Sequence, residues 1–164
     1  MFLLFINSIF SKYLNKNIIE RYSYEKPYKT IGFSLDSKKE HVILKEGASE
    51  KKNLLFIKAP FLLDKTFSDA DMELYLTSIR ETIQQELVHL EKGGYCAIQT
   101  KDVSVGDYIE PTAKKIVDML FSNKNLHLKE IIIVTNESNG HLAEEYKMDG
   151  LKINHQYLLV YERK

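Results

Sequence analysis

Apolar and polar positions change rhythm near residue 53. Beyond it, short unbroken apolar runs alternate with stretches whose apolar residues return every three or four positions. The runs at 53–58 (NLLFIK), 95–100 (YCAIQT), 128–135 (LKEIIIVT) and 156–161 (QYLLVY) have strand length and predict strands buried on both faces. Between the first two, Met72, Leu76, Ile79, Ile83, Leu87 and Leu90 keep helical spacing, with Tyr75 and Val88 widening the stripe. They predict a helix over 69–92 that Ser68 or Asp69 caps and the left-handed freedom of Gly93-Gly94 ends. Ala113, Ile116, Val117, Leu120 and Phe121 predict a second helix over 111–122, with Pro111 in its first turn. Residues 136–154 read as a long polar loop with room for a helical turn at 142–146. Strands joined through helices imply right-handed crossovers and a parallel sheet. The last strand has no clear helix before it and is expected to run antiparallel. The fold class is therefore α/β, an open, mostly parallel, Rossmann-like sheet with an antiparallel last strand over 53–164.

Residues 1–52 follow another pattern and read as an N-terminal extension. The stretch 1–10 (MFLLFINSIF) is apolar, lacks a basic flank and a small-residue cleavage pattern, and is too short to span a bilayer. It predicts an amphipathic helix running through Tyr13 or beyond, packed on the domain or on a partner. Residues 15–52 are polar and lysine-rich, punctuated by Pro27, Gly32 and Gly47. Two short runs, 30–35 and 41–44, flank the turn-forming 36–39 and predict a hairpin.

Composition refines this picture. The chain has 164 residues, 44% apolar and 28% charged, as one globular domain does. Its formal net charge is zero, so nothing global draws it to nucleic acid or an anionic membrane. The charge is unevenly placed, however: +5 over residues 1–66 and −5 over 67–164. Either the basic first third meets a nucleic-acid or protein partner, or the two halves neutralise each other within the fold or at an oligomer contact. Tyr13, Tyr22, Tyr24 and Tyr28 interleave with Lys12, Lys16, Lys26 and Lys29, a pattern that serves either single-stranded nucleic acid or a plain surface. The single cysteine, Cys96, excludes an internal disulfide and reads as a small core residue in a soluble, intracellular protein. No two of the five histidines share a metal-binding spacing, so no metal is expected.

Residues 58–61 read Lys58-Ala59-Pro60-Phe61 at the end of the first predicted strand, and Glu91-Lys92-Gly93-Gly94 precedes the second. Glu130 to Val134 form the third apolar strand, and His155-Gln156-Tyr157-Leu158 opens the last. In order and spacing this set resembles the DNA methylase N-4/N-6 family, of the class I S-adenosylmethionine-dependent methyltransferase fold. The resemblance covers about the last two thirds of the chain. It implies a strand-end tetrapeptide, Asp/Asn/Ser-Pro-Pro-aromatic, that holds an exocyclic amine by its hydrogens while the aromatic ring stacks on an extruded base.

At that position Phe61 and Pro60 are kept, Ala59 replaces the first proline, and Lys58 replaces the acceptor. An ammonium has three donors and no acceptor, so it cannot hold an amine's hydrogens. The glycine-rich turn that would hold S-adenosylmethionine has one weak candidate, around Gly32 in TIGFSLD. The resemblance thus implies a domain that binds no cofactor as an isolated chain and acts as a binding or scaffolding subunit. Its alternative is an active amino-methyltransferase with a divergent site. Open α/β sheets bind ligands at their carboxyl edge, which adds Asp102, Asp107, Tyr108 and His155 as cleft candidates. A Lys58–Asp102 ion pair across neighbouring strand ends is the structural expectation there.

Overall fold

A computed structural model describes residues 2–7, 11–32, 41–44, 51–58, 68–105, 108–135 and 155–164. Among them nine strands and three helices appear: β1 (Phe2–Asn7), α1 (Ser11–Ser23), β2 (Tyr28–Gly32), β3 (His41–Leu44), β4 (Lys52–Lys58), α2 (Asp69–Glu86), β5 (Leu90–Thr100), β6 (Val103–Val105), β7 (Tyr108–Glu110), α3 (Thr112–Leu120), β8 (Leu126–Thr135) and β9 (His155–Arg163). Seven strands form one sheet in the order β1-β8-β9-β5-β4-β2-β3, and β6 and β7 make a separate ribbon. β1, β8, β5, β4 and β2 share one direction, while β9 and β3 oppose them. The molecule is α/β with an open, mostly parallel, Rossmann-like sheet, and β9 is antiparallel as the pattern predicts.

The crossovers explain the layers. From β4 through α2 to β5, and from β5 through α3 to β8, the chain moves one way across the sheet. From β1 through α1 to β2 it moves the other way. Crossovers of one hand that travel in opposite directions lie on opposite faces. Accordingly Leu14, Ile18 and Tyr22 of α1 pack on Leu54, Phe56 and Val160. Met72, Tyr75, Ile79 and Ile83 of α2 and Ile116 of α3 pack on the other face, over Leu55, Ile57, Ile98 and Leu159. Cys96 is fully buried there, as its setting predicts.

Three expectations are corrected. Residues 2–7 are not helical; they form β1, parallel to β8 at the sheet edge. An unbroken apolar run has no helical period to enforce, and the helix begins only at Ser11. The long helix ends at Glu86, not 92: Leu87–His89 tighten into a 3-10 turn and Leu90 already pairs with Lys52. Gly93, at φ +76°, therefore ends no helix. It sits in an irregularity of β5, where a Cβ on Gly94 would stand 2.9 Å from the carbonyl oxygens of Asn53 and Glu91. Pro111 lies just ahead of α3, whose first residue is Thr112. Ser68 caps α2 as expected, in a reciprocal box with Asp71. The hairpin also forms, as β2 antiparallel to β3. The predicted turn at 36–39 and helical turn at 142–146 lie outside the described residues.

Part of the charge asymmetry is neutralised within the chain. Arg21 reaches Glu130 at 3.0 Å, Lys26 reaches Glu91 at 3.6 Å, and Lys29 pairs with Glu86. All three pairs join the basic first third to the acidic remainder.

Candidate functional site

The carboxyl ends of β2, β4 and β5, and the start of β9, meet at one edge of the sheet. Strand alternation divides that edge into two sides. Leu54, Phe56 and Lys58 follow one another at two-residue spacing on the side of α1. There the Lys58 ammonium lies 5.2 Å from the centre of the Phe56 ring. Lys58 is half-buried, and desolvation holds its pKa below the ordinary lysine value. Beside it, Gln99 of β5 is buried, and its Nε2 donates to Gln156 Oε1 of β9 at 2.7 Å.

On the side of α2 and α3, the polar groups form closed sets. His155 Nε2 and the Tyr157 hydroxyl are 2.8 Å apart, and the two rings meet edge-on. The Tyr157 hydroxyl donates to Asp102 Oδ2 at 3.5 Å, and Asp102 Oδ1 accepts from Ala113 N–H at 3.4 Å. Asp102 thus occupies the amino end of α3, where a carboxylate is favoured. Burial, and then the neighbouring Asp102, raise the Tyr157 pKa. Tyr75 and Thr100 hydroxyls bond to each other at 3.3 Å in the interior. Tyr108, on β7, is exposed and donates to Asp69 Oδ1 at 2.7 Å, the bond that chiefly raises its pKa.

The structure therefore separates residues that the sequence places together. Lys58 and Asp102 stand on opposite faces, and the expected ion pair between them does not form. Asp102 and His155 do come together, through Tyr157. Tyr108 is tied to the start of α2. Ala59, Pro60, Phe61 and Asp107 lie outside the described residues. In the first third, Tyr22 is buried on the inner face of α1 and is no stacking platform, while Tyr24 is exposed. Gln99, Gln156 and Tyr157 are absent from the sequence-predicted set. The available signal was a glutamine at the end of each of two apolar runs.

Among the described residues no cluster of His, Cys, Asp and Glu is arranged to hold a metal ion, and no helix is long and apolar enough to cross a membrane. A cavity of about 340 Å³ lies at the far ends of α2 and α3, between Arg80, Ile83, Leu120 and Asn123. No protein-family model, no curated protein and no solved structure matches the chain.

Proposed function

We propose that the chain is a methyltransferase-like domain of the DNA methylase N-4/N-6 type that transfers no methyl group and works as a binding or scaffolding subunit. The observation that carries this reading is the pairing of β2 with the next strand in the chain. A cofactor turn of this fold class lies between a strand and a helix whose N-terminus faces the ligand. Here the strand with the candidate glycine, β2, returns as the antiparallel β3, so β2 and β3 form a hairpin instead of a parallel crossover. Gly32 itself has no positive φ and, among the described residues, no close neighbour that would demand a glycine. Lys58 adds a second argument: a donor-only ammonium over an aromatic ring stands at the position where the resemblance would require an acceptor for an amine.

Calorimetric titration with S-adenosylmethionine and S-adenosylhomocysteine is the direct test, beside transfer of labelled methyl groups to DNA and RNA. No saturable heat at micromolar cofactor and no transfer are expected, for wild type and for Lys58→Asp alike. Stoichiometric binding, or wild-type transfer that Phe61→Ala abolishes, would establish the active enzyme instead.

A further inference from the structure

The last turns of α2 and α3, with the turn that follows α3, line the cavity of about 340 Å³. That size lies within the range of small-molecule pockets. Both helices run back against the strands they follow, so the cavity lies at the amino edge of the sheet, opposite Lys58. Ile83, Met119 and Leu120 give it an apolar wall, and Arg80, Gln84, Ser122 and Asn123 supply polar groups. Backbone bonds fix the turn: Asn123 N–H donates to the Leu120 carbonyl at 3.0 Å, and Leu126 N–H to the Asn123 carbonyl at 3.2 Å. Asn123 Oδ1 accepts from Asn125 N–H at 3.0 Å, which leaves its Nδ2 as a donor. Arg80 carries the one charge of the lining. Its helical neighbours three and four residues away are Leu76, Thr77, Ile83 and Gln84, none of them charged. Among the described residues no carboxylate pairs with Arg80.

We propose that this cavity binds a small organic monocarboxylate with an apolar body, held by Arg80. A lining with one cation and no carboxylate selects an anion. A guanidinium presents its donors as a planar fork that matches the two oxygens of a carboxylate. Gln84, Ser122 and the Asn123 Nδ2 are further donors for the same oxygens. Phosphate suits the site less well. Phosphate sites draw on helix amino termini. Here both helices bring their carboxyl ends, whose partial negative charge opposes a dianion. The wall of Ile83, Met119 and Leu120 rewards a ligand that buries apolar surface, which a bare anion does not. Binding is non-covalent. The site is independent of the methyltransferase-like reading, since it lies at the other edge of the sheet.

The test titrates the folded, isotope-labelled full chain with phenylpropionate and follows its backbone amide resonances. Saturable shifts concentrated at residues 80–84 and 119–123 are expected, with a Kd on the order of 0.1–1 mM, as suits a small ligand on an open site. Two comparisons leave the protein unchanged. Phenylpropanamide keeps the body without the charge and should bind about five-fold more weakly, the upper range for an exposed ion pair. Acetate keeps the charge without the body and should bind about ten-fold more weakly. Arg80 is exposed, so Arg80→Met should keep the fold and weaken phenylpropionate by about five-fold. Arg80→Lys keeps the charge but loses the fork, and should recover only part of that. No saturation, shifts spread evenly over the surface, equal binding of phenylpropionate and its amide, equal binding of phenylpropionate and acetate, or unaltered binding by Arg80→Met would each overturn the proposal.

Discussion

On the face covered by α2 and α3, the polar groups of the carboxyl edge bond to one another. Asp102 is held by the amino end of α3 and by Tyr157, Tyr157 by His155, and Thr100 by Tyr75. On the α1 face the same edge ends in Lys58, which no described carboxylate meets, in register with Gly32, which brings no side chain. The two faces have similar cores, yet one closes on itself while the other keeps bonding capacity in reserve. A mutually bonded carboxylate, phenol and imidazole fix the start of β9 against β5 and α3. Lys58 is desolvated, and among the described residues no carboxylate offsets that cost. The number of polar groups at a sheet edge is thus a poor guide to a ligand site; what counts is which of them remain unpaired.

The comparison assumes that α1 covers a true core face and not a loose flank. Phe56 tests this most strongly, because it is fully buried against Leu14, Ile18 and Tyr22, with the Lys58 ammonium over its ring. Phe56→Ala should cost about 3–5 kcal/mol, the usual range for an aromatic removed from a packed core. Urea unfolding measures it, and a loss below about 1 kcal/mol would reduce α1 to a peripheral element. Asn53 is the next strongest. Its buried Nδ2 donates to the carbonyls of Tyr22 and Ser23, at 2.9 and 3.3 Å, and so ties the end of α1 to β4. Those carbonyls belong to the last turn of the helix and have no intrahelical donor. Asn53→Ala should therefore cost about 1–3 kcal/mol. It should also speed amide exchange in α1 more than in α2, and equal acceleration in both helices would remove the special role of this anchor.

These elements differ in how legible they are in sequence. β4, β5 and β9 are apolar runs because residues on both their faces are buried, and such runs can be read locally; β8 is as apolar, although Ile131 and Ile133 are only half-buried. The stripe of α2 is also legible, but its end is not. Leu87 and Leu90 keep the helical phase and are buried in the same cluster, although the chain has already turned into β5. β1 is illegible as a strand because what makes it one is its pairing with β8, over a hundred residues away. At the site, Lys58 stands out as a substitution in a motif, and Asp102 follows from its place after a strand. Gly32 reads only as a lone glycine, since its relation to Lys58 exists in the parallel register and nowhere in the order of residues. The Lys58–Asp102 pair was inferred from adjacent strand ends; it fails because adjacency across a sheet does not fix which face a side chain takes.

The two faces should also respond oppositely to alkali. On the α2–α3 face, burial pushes the Cys96 thiol up to about 12 from 9.0 and holds Tyr75 and Tyr161 above the ordinary phenol value. A folded-state pKa raised above the unfolded one means that stability is fully present below the unfolded value and is lost as pH rises toward the folded value. For Cys96 the loss runs from about pH 9 to about pH 12, and by pH 10 it amounts to roughly 1–1.5 kcal/mol. The tyrosines begin to add to it near pH 10. On the α1 face Lys58 has the opposite sign: its folded pKa lies below the ordinary 10.5, so the fold disfavours the ammonium and gains stability as pH rises toward that value. Urea midpoints at pH 8 and 10 separate the contributions. Cys96→Ala lowers stability at both pH values through lost packing but should show a smaller decline between them than wild type. Lys58→Met should show a steeper decline than wild type, because the offsetting gain is gone. If both variants decline in parallel with wild type, neither group titrates differently in the folded chain, and the contrast between the two faces would not extend to their protonation.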